Sequence, residues 1–187
     1  MKKLRVFIAG LAASILLMPH APALSMEPQR NDYEINGTTY EELSSQLISM
    51  LQDKVLDAPW EITWRYKERV NEYGCVPNRV IVDLKINSHV PRWPDSELAP
   101  ERLRLKWGHF IDALNMHHAG HKDIATRAVM KIKMAIIEMQ ADDCARLRTN
   151  VDTMAHGVIR DARRQDAEYD ILTENGELQG ADVNILK

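Results

Sequence analysis

The sequence predicts an α+β fold: a small antiparallel β-sheet followed by a long helical hairpin. Two runs, Ile62 to Tyr66 and Val80 to Ile86, alternate apolar with polar residues at the period of a half-buried strand, and a turn-rich stretch joins them. From Glu101 to Met139 there is no proline, and apolar residues recur at helical spacing. Asp142 and Asp143 then offer an N-cap for a second helix.

Taken in order, the first segment lies outside this fold. Lys2, Lys3 and Arg5 precede an apolar run of 13 residues, Val6 to Met18, and Ala21-Pro22-Ala23-Leu24-Ser25 offers small residues for cleavage after Ala23 or Ser25. That is the pattern of a secretory signal peptide over residues 1–25. A spanning helix needs about 20 apolar residues, so the run is short for one; an uncleaved N-terminal anchor is the alternative. Nothing later in the chain has the length and apolarity to span a bilayer, which argues against stable membrane insertion after cleavage. Residues 26–187 are expected to be a single periplasmic or secreted domain.

Asp32 to Asn36 reads as a short strand ending at the Asn36-Gly37 turn. Thr38 with Glu41 forms a capping-box pattern, and Leu43, Leu47, Ile48 and Leu51 mark one face of the helix behind it. Pro59 closes that region. The hairpin follows, its loop drawn from Asn71 to Asn78 and carrying Gly74, Cys75 and Pro77. Pro91, Pro94 and Pro100 separate the sheet from the helices. The second long helix carries the stripe Cys144, Leu147, Val151, Met154, Val158, Ala162, Gln165 and Tyr169, spaced to pack antiparallel on the first. Thr173 to Lys187 has no clear period.

Composition narrows the function classes. The 187 residues carry a net charge of −3; without the signal, Lys+Arg falls from 24 to 21 against 27 Asp+Glu, giving −6. A general nucleic-acid binder needs a basic footprint, and none is present. Neither standard glycine-rich phosphate loop occurs, which argues against nucleotide chemistry. Cys75 and Cys144 are the two cysteines. In an exported chain such a pair is expected to form a disulfide, two buried free thiols being the alternative.

One constellation could carry chemistry. His117, His118 and His121 lie within five residues. With His117 at 0° on a helical wheel, His121 falls at about 40° and His118 at about 100°. The apolar positions from Leu103 to Met139 span about −20° to 100°, so all three imidazoles fall in the stripe that faces the core. Burial there is costly unless each is hydrogen-bonded or bound to metal. Histidines at i and i+4 can present nitrogens to one Zn²⁺. Core histidines bonded to backbone and carboxylates are the rival reading. Candidates for a third ligand are His156, Asp166, Asp170, Glu174 and Asn175. His156 should point away from the packed seam, and His109 should lie on the surface. Asp166, Asp170 and Glu174 lie at the far end of the second helix, which should run back past the start of the first; they would reach the histidines only if the tail folds over.

An ordered set of short motifs runs through nearly all of the exported chain: Tyr33-Glu34-Ile35-Asn36-Gly37, Trp64-Arg65-Tyr66, Cys75, Pro91-Arg92-Trp93, Trp107 with Phe110, His121-Lys122-Asp123-Ile124-Ala125, Cys144, Tyr169-Asp170, Thr173 and Asn175-Gly176-Glu177-Leu178-Gln179-Gly180-Ala181. In these the chain resembles a bacterial family of predicted secreted zinc-dependent proteases, classed as a domain of unknown function and zincin-like. The family pattern is His-Glu-x-Gly-His on the helix and a His-Gly in the C-terminal segment. Here His117, Gly120 and His121 match, while His118 replaces the glutamate and Asn175 the histidine. The resemblance implies a Zn²⁺ cofactor held by His117 and His121, with Asn175 at the position of the third ligand and His118 at that of the general base. Two functions follow. One is a zinc-dependent metallopeptidase-like protein of altered activity acting on a polypeptide, with a sheet edge at Tyr66 or Val80 to align an extended chain. The other is a non-catalytic relative that binds metal or a protein partner.

Overall fold

The computed structural model describes residues 26–53 and 57–187; the signal segment expected over residues 1–25, with His20, lies outside them. Its order is β1 (Met26–Glu34), α1 (Tyr40–Gln52), β2 (Trp60–Asn71), β3 (Gly74–Arg92), α2 (Glu101–Ile137) and α3 (Cys144–Thr173), with short 3₁₀ turns at Pro94–Leu98, Glu177–Gln179 and Val183–Leu186. The fold is α+β, as expected. The hairpin of β2 and β3 is antiparallel, but β1 joins the other edge of β3 in parallel, so the three-stranded sheet is mixed, in the order β1-β3-β2. A parallel strand needs a crossover, and α1 together with β2 provides it.

Several local expectations shift. The capping box sits one residue later: Thr39 accepts from the Glu42 amide, and the Glu42 carboxylate accepts from the amides of Thr38 and Thr39. Leu43 and Leu47 are buried, whereas Ile48 is 46 % exposed, because α1 offers only a narrow face to the core. The hairpin loop is far shorter than Asn71 to Asn78. Asn71 pairs with Gly74 across a two-residue turn, and Cys75 lies within β3 opposite Val70. β3 is the central strand, so Val80 is not at an edge; Tyr66 is on the edge strand β2, at a register shift between Arg65 and Lys67. Glycine and proline misled here because the strands run on through Gly74, Pro77 and Pro91.

The inward face of the sheet, Trp60, Ile62, Val82, Leu84 and Ile86, packs on the second half of α2 and on α3. A separate core gathers α1, Trp93, the first half of α2 and the tail around Phe110, Leu114 and Val183. The helix α2, 37 residues long, belongs to both. Asp143 caps α3 by accepting from the Arg146 amide at 2.8 Å. The α3 stripe is buried at Leu147, Val151, Ala155, Val158 and Ala162; Gln165 is exposed, and Asp166 takes the inward position instead. Cys75 and Cys144 form a disulfide, Cα to Cα 5.1 Å, which with the Cys75–Ala141 bridge ties the start of β3 to the α2–α3 turn. Among the described residues no helix is long and apolar enough to cross a membrane.

Candidate metal centre

The inward stripe of α2 carries His117, His118 and His121 between the two cores, and all three are buried, at 5, 6 and 6 % exposure. The i, i+4 spacing brings His117 and His121 together with Nε2 atoms 3.0 Å apart. The end of α3 does not run past the start of α2. It lies directly opposite the histidines and delivers Asp166 and Asp170 without help from the tail. Asp170 Oδ1 is 3.0 Å from His121 Nε2 and 3.3 Å from His117 Nε2.

Each imidazole is oriented from behind. His121 Nδ1 lies 2.8 Å from Asp166 Oδ1, and His117 Nδ1 lies 3.0 Å from Gln179 Oε1. Both partners accept, so both Nδ1 atoms carry the hydrogen and both Nε2 lone pairs point at one spot. Two lone pairs and a carboxylate oxygen within 3.3 Å of one another repel unless a cation or a proton lies between them. Ligands about 2.0–2.1 Å from a tetrahedral zinc stand about 3.3 Å apart, close to the spacings found. His117, His121 and Asp170 are thus a group that could hold a metal ion. Glu68, Cys75 and Cys144 also cluster, but the disulfide occupies both sulfurs and Glu68 pairs with Arg148.

The tail supplies the remaining support. Glu174, Asn175 and Gly176 all take positive φ, at 50, 54 and 93°, and turn the chain back so that the Asn175 amide donates to Asp170 O at 2.8 Å. This reversal lays Gly176 against the His117 ring, where an added Cβ would lie 3.0 Å from Cγ. Gln179 also donates to the Tyr169 hydroxyl at 3.0 Å, and the Tyr169 ring stacks on His117 at 5.1 Å. Gly120 leaves the room that Tyr169 fills: a Cβ there would stand 2.3 Å from the phenol ring.

The charges around the two histidines pull them apart. Burial lowers the His117 pKa, and a charge on His121 lowers it further, with Gln179 and Asp170 opposing in part. Burial alone would lower His121 as well. The Asp166 hydrogen bond and the charges of Asp166, Asp170 and Asp57 outweigh it and raise His121 above the ordinary 6.5.

His118 is outside the three-donor group. Its Nδ1 lies 2.9 Å from Ser88 Oγ on β3, and its ring forms part of the wall of the cavity, about 400 Å³, into which the donors face. Asn175 lies on the same wall, so the structure brings it to the site, while the third donor atom is that of Asp170. His156 is exposed, with Nδ1 2.7 Å from Asp152 O, and His109 is exposed too, as expected. His89 stacks edge-on to Tyr33, away from the centre. Ser88 and Arg163 were not among the residues singled out from sequence; Gln179 lay in the motif from Asn175 to Ala181, but nothing in that motif marked it as the partner of His117.

A family model described as a bacterial protein of unknown function (DUF922) matches residues 30–177, most of the chain. No curated protein and no solved structure matches. The chain belongs to this DUF922 family.

Proposed function

We propose that this family member is an exported zinc protein with a hydrolytic, metallopeptidase-like centre made by His117, His121 and Asp170. The observation that carries the reading is the convergence of two Nε2 atoms and Asp170 Oδ1 on one point, with each Nδ1 already committed to Gln179 or Asp166. Three protein donors facing a cavity suit a catalytic zinc, which keeps a position open; a structural zinc is closed by four. Two histidines and a carboxylate are also a set that zinc accepts readily. Asp170 takes the part that Asn175 is poorly equipped for, since a carboxylate binds zinc better than a carboxamide. The signal pattern and the disulfide support export.

When bound, zinc supplies a Lewis acid and lowers the pKa of a water. The chain's own residues do the rest. Asp166 and Gln179 hold the imidazoles in the ligating tautomer and orientation. Gly120 and Gly176 let Tyr169 and the tail close behind the His117 ring and keep bulk water from that side. His118, steadied by Ser88, stands where the motif's glutamate would stand and takes up the proton as general base.

A second reading, a metal-binding protein without catalysis, is favoured by one observation: the motif offers no glutamate, and His118 is bound back to β3. Elemental analysis of the exported chain, purified without tag or chelator, comes first. About one zinc per wild-type chain and none in His117→Ala/His121→Ala is expected; no zinc in wild type after reconstitution would remove both readings. Peptide hydrolysis then separates them. The hydrolytic reading expects His118→Ala to lose about 10²–10⁴-fold in kcat with zinc retained, and His118→Glu to recover or exceed wild type. The second expects no turnover in any of the three.

A further inference from the structure

The cavity in front of the metal donors holds a cation that the proposed chemistry does not use. Among the described residues lining it, Arg163 is the one lysine or arginine, and the carboxylates of Asp57, Asp166, Asp170 and Glu177 share the same wall. An arginine beside several acids ordinarily pairs with one of them. Arg163 forms no ion pair among the described residues. Its guanidinium instead lies 3.6 Å over the ring of Trp60, and Nη2 donates to the Trp60 carbonyl oxygen. Trp60 is 3 % exposed and paired with Ile86 at the start of β2, so the platform is rigid.

This arrangement has a chemical use. A guanidinium has five N–H donors and one is engaged, which leaves a charged, planar fork whose orientation the indole already fixes. Such a fork matches a carboxylate with two parallel hydrogen bonds, and prior immobilisation reduces the entropy lost when it binds. Arg163, Asp166 and Asp170 follow one another at i, i+3 and i+7 on one face of α3, so the backbone positions of Arg163 and Asp170 are about 10 Å apart along the helix. One cavity therefore presents both metal donors and a fork suited to a carboxylate.

We infer that Arg163 anchors the substrate, and that the substrate carries a carboxylate besides the group held at His117, His121 and Asp170. The inference rests on the zinc reading of the centre. The carboxylate can belong to a chain end or to an aspartate or glutamate side chain.

The test uses zinc-loaded full-length exported protein and calorimetric titration with hydroxamates, which bind zinc without needing turnover. Acetohydroxamate is compared with ω-carboxyalkyl hydroxamates of increasing length. In wild type the best carboxylate probe should bind at least about tenfold more tightly than acetohydroxamate, the gain typical of a charge-assisted pair. Arg163→Gln should abolish the difference, and Arg163→Lys, which keeps the charge without the fork, should keep part of it. Equal affinities in wild type, or a difference that survives Arg163→Gln, overturns the assignment. If Arg163→Gln does not fold, Arg163→Lys decides: a carboxylate gain undiminished by loss of the fork overturns the assignment. Zinc content measured on the same samples separates the two failures: zinc present with equal affinities removes the role of Arg163 alone, and zinc absent removes the centre. Displacement of the best probe by tripeptides names the source. Competition only with a free C-terminus points to a chain end, and competition by an amidated glutamate peptide points to a side chain. An amidated neutral peptide that competes as well as either overturns the inference.

Discussion

At the residue scale the centre depends on an absence of side chain. Gly120 is helical, and alanine in a helix interior ordinarily stabilises by about 1 kcal/mol over glycine. Here the added methyl would stand 2.3 Å from the Tyr169 ring. Gly120→Ala should therefore destabilise, by about 1–3 kcal/mol in urea melts, the range of an overpacked core; a rise in stability would show that Tyr169 is not held there. The histidines make a second prediction, for the metal-free protein. The raised His121 has a folded pKa above its unfolded one, so its contribution to stability is present below about pH 6.5 and lost as pH rises through the folded value. His117, lowered, has the opposite sign: it costs stability as pH falls through its unfolded value. NMR titration should find the His121 midpoint above that of His117, and Asp166→Asn should bring the two closer. Of these residues the sequence showed the histidine pair, because i, i+4 spacing is a property of one helix. It could not rank Asp170 over Asn175, because that choice is made between elements.

Elements decide which residues meet, through the register of α2 on α3. Equal steps outward from the turn would set His121 opposite about Arg160, yet its partner is Asp166, about six residues further along α3. The offset arises in the segment between Ile137 and Cys144, pinned to β3 by the Cys75–Ala141 bridge and by the disulfide. Neither constraint is written in the periodicity of either helix, so the pairing of His121 with Asp166 could not be read from it; the stripe itself was read correctly as far as Ala162 and failed at Gln165. The disulfide closes a separation of 69 residues, worth about 4 kcal/mol in the chain-entropy model. Cys75→Ala/Cys144→Ala should lower stability by about 2–5 kcal/mol in denaturant. Because the staple sits at the turn, the double variant should also loosen the helix register and weaken zinc binding; unchanged zinc affinity would place the register in the helix packing alone.

Across the whole molecule, α2 passes through two cores and the histidines occupy the stretch between them. Phe110 and Leu114 belong to one side, Ile124 and Ala125 to the other. A metal held by His117, His121 and Asp170 would join α2 and α3 at the point where apolar packing is interrupted. With zinc bound, calorimetry should give one transition whose measured and van't Hoff enthalpies agree. After chelation the transition should move down in temperature and broaden, with the calorimetric enthalpy exceeding the van't Hoff value. An unchanged single transition would mean that the two cores couple without the metal. The fold class itself was legible, since strand and helix periods are local. The mixed character of the sheet was not, because nothing in Met26–Glu34 states which edge of which strand it will join.

That parallel pairing bears on how the chain reaches its native state. Met26 aligns with Leu84, 58 residues later, whereas β2 meets β3 through a two-residue turn. A chain emerging N-terminus first makes β1 long before its template exists, so the strand must wait, unpaired, until the hairpin has been completed. Docking of β1 should therefore be a late, high-contact-order step that follows helix formation. In stopped-flow refolding, helical circular dichroism should recover ahead of protection of the amides of β1, with the interval between them set by closure of this one loop.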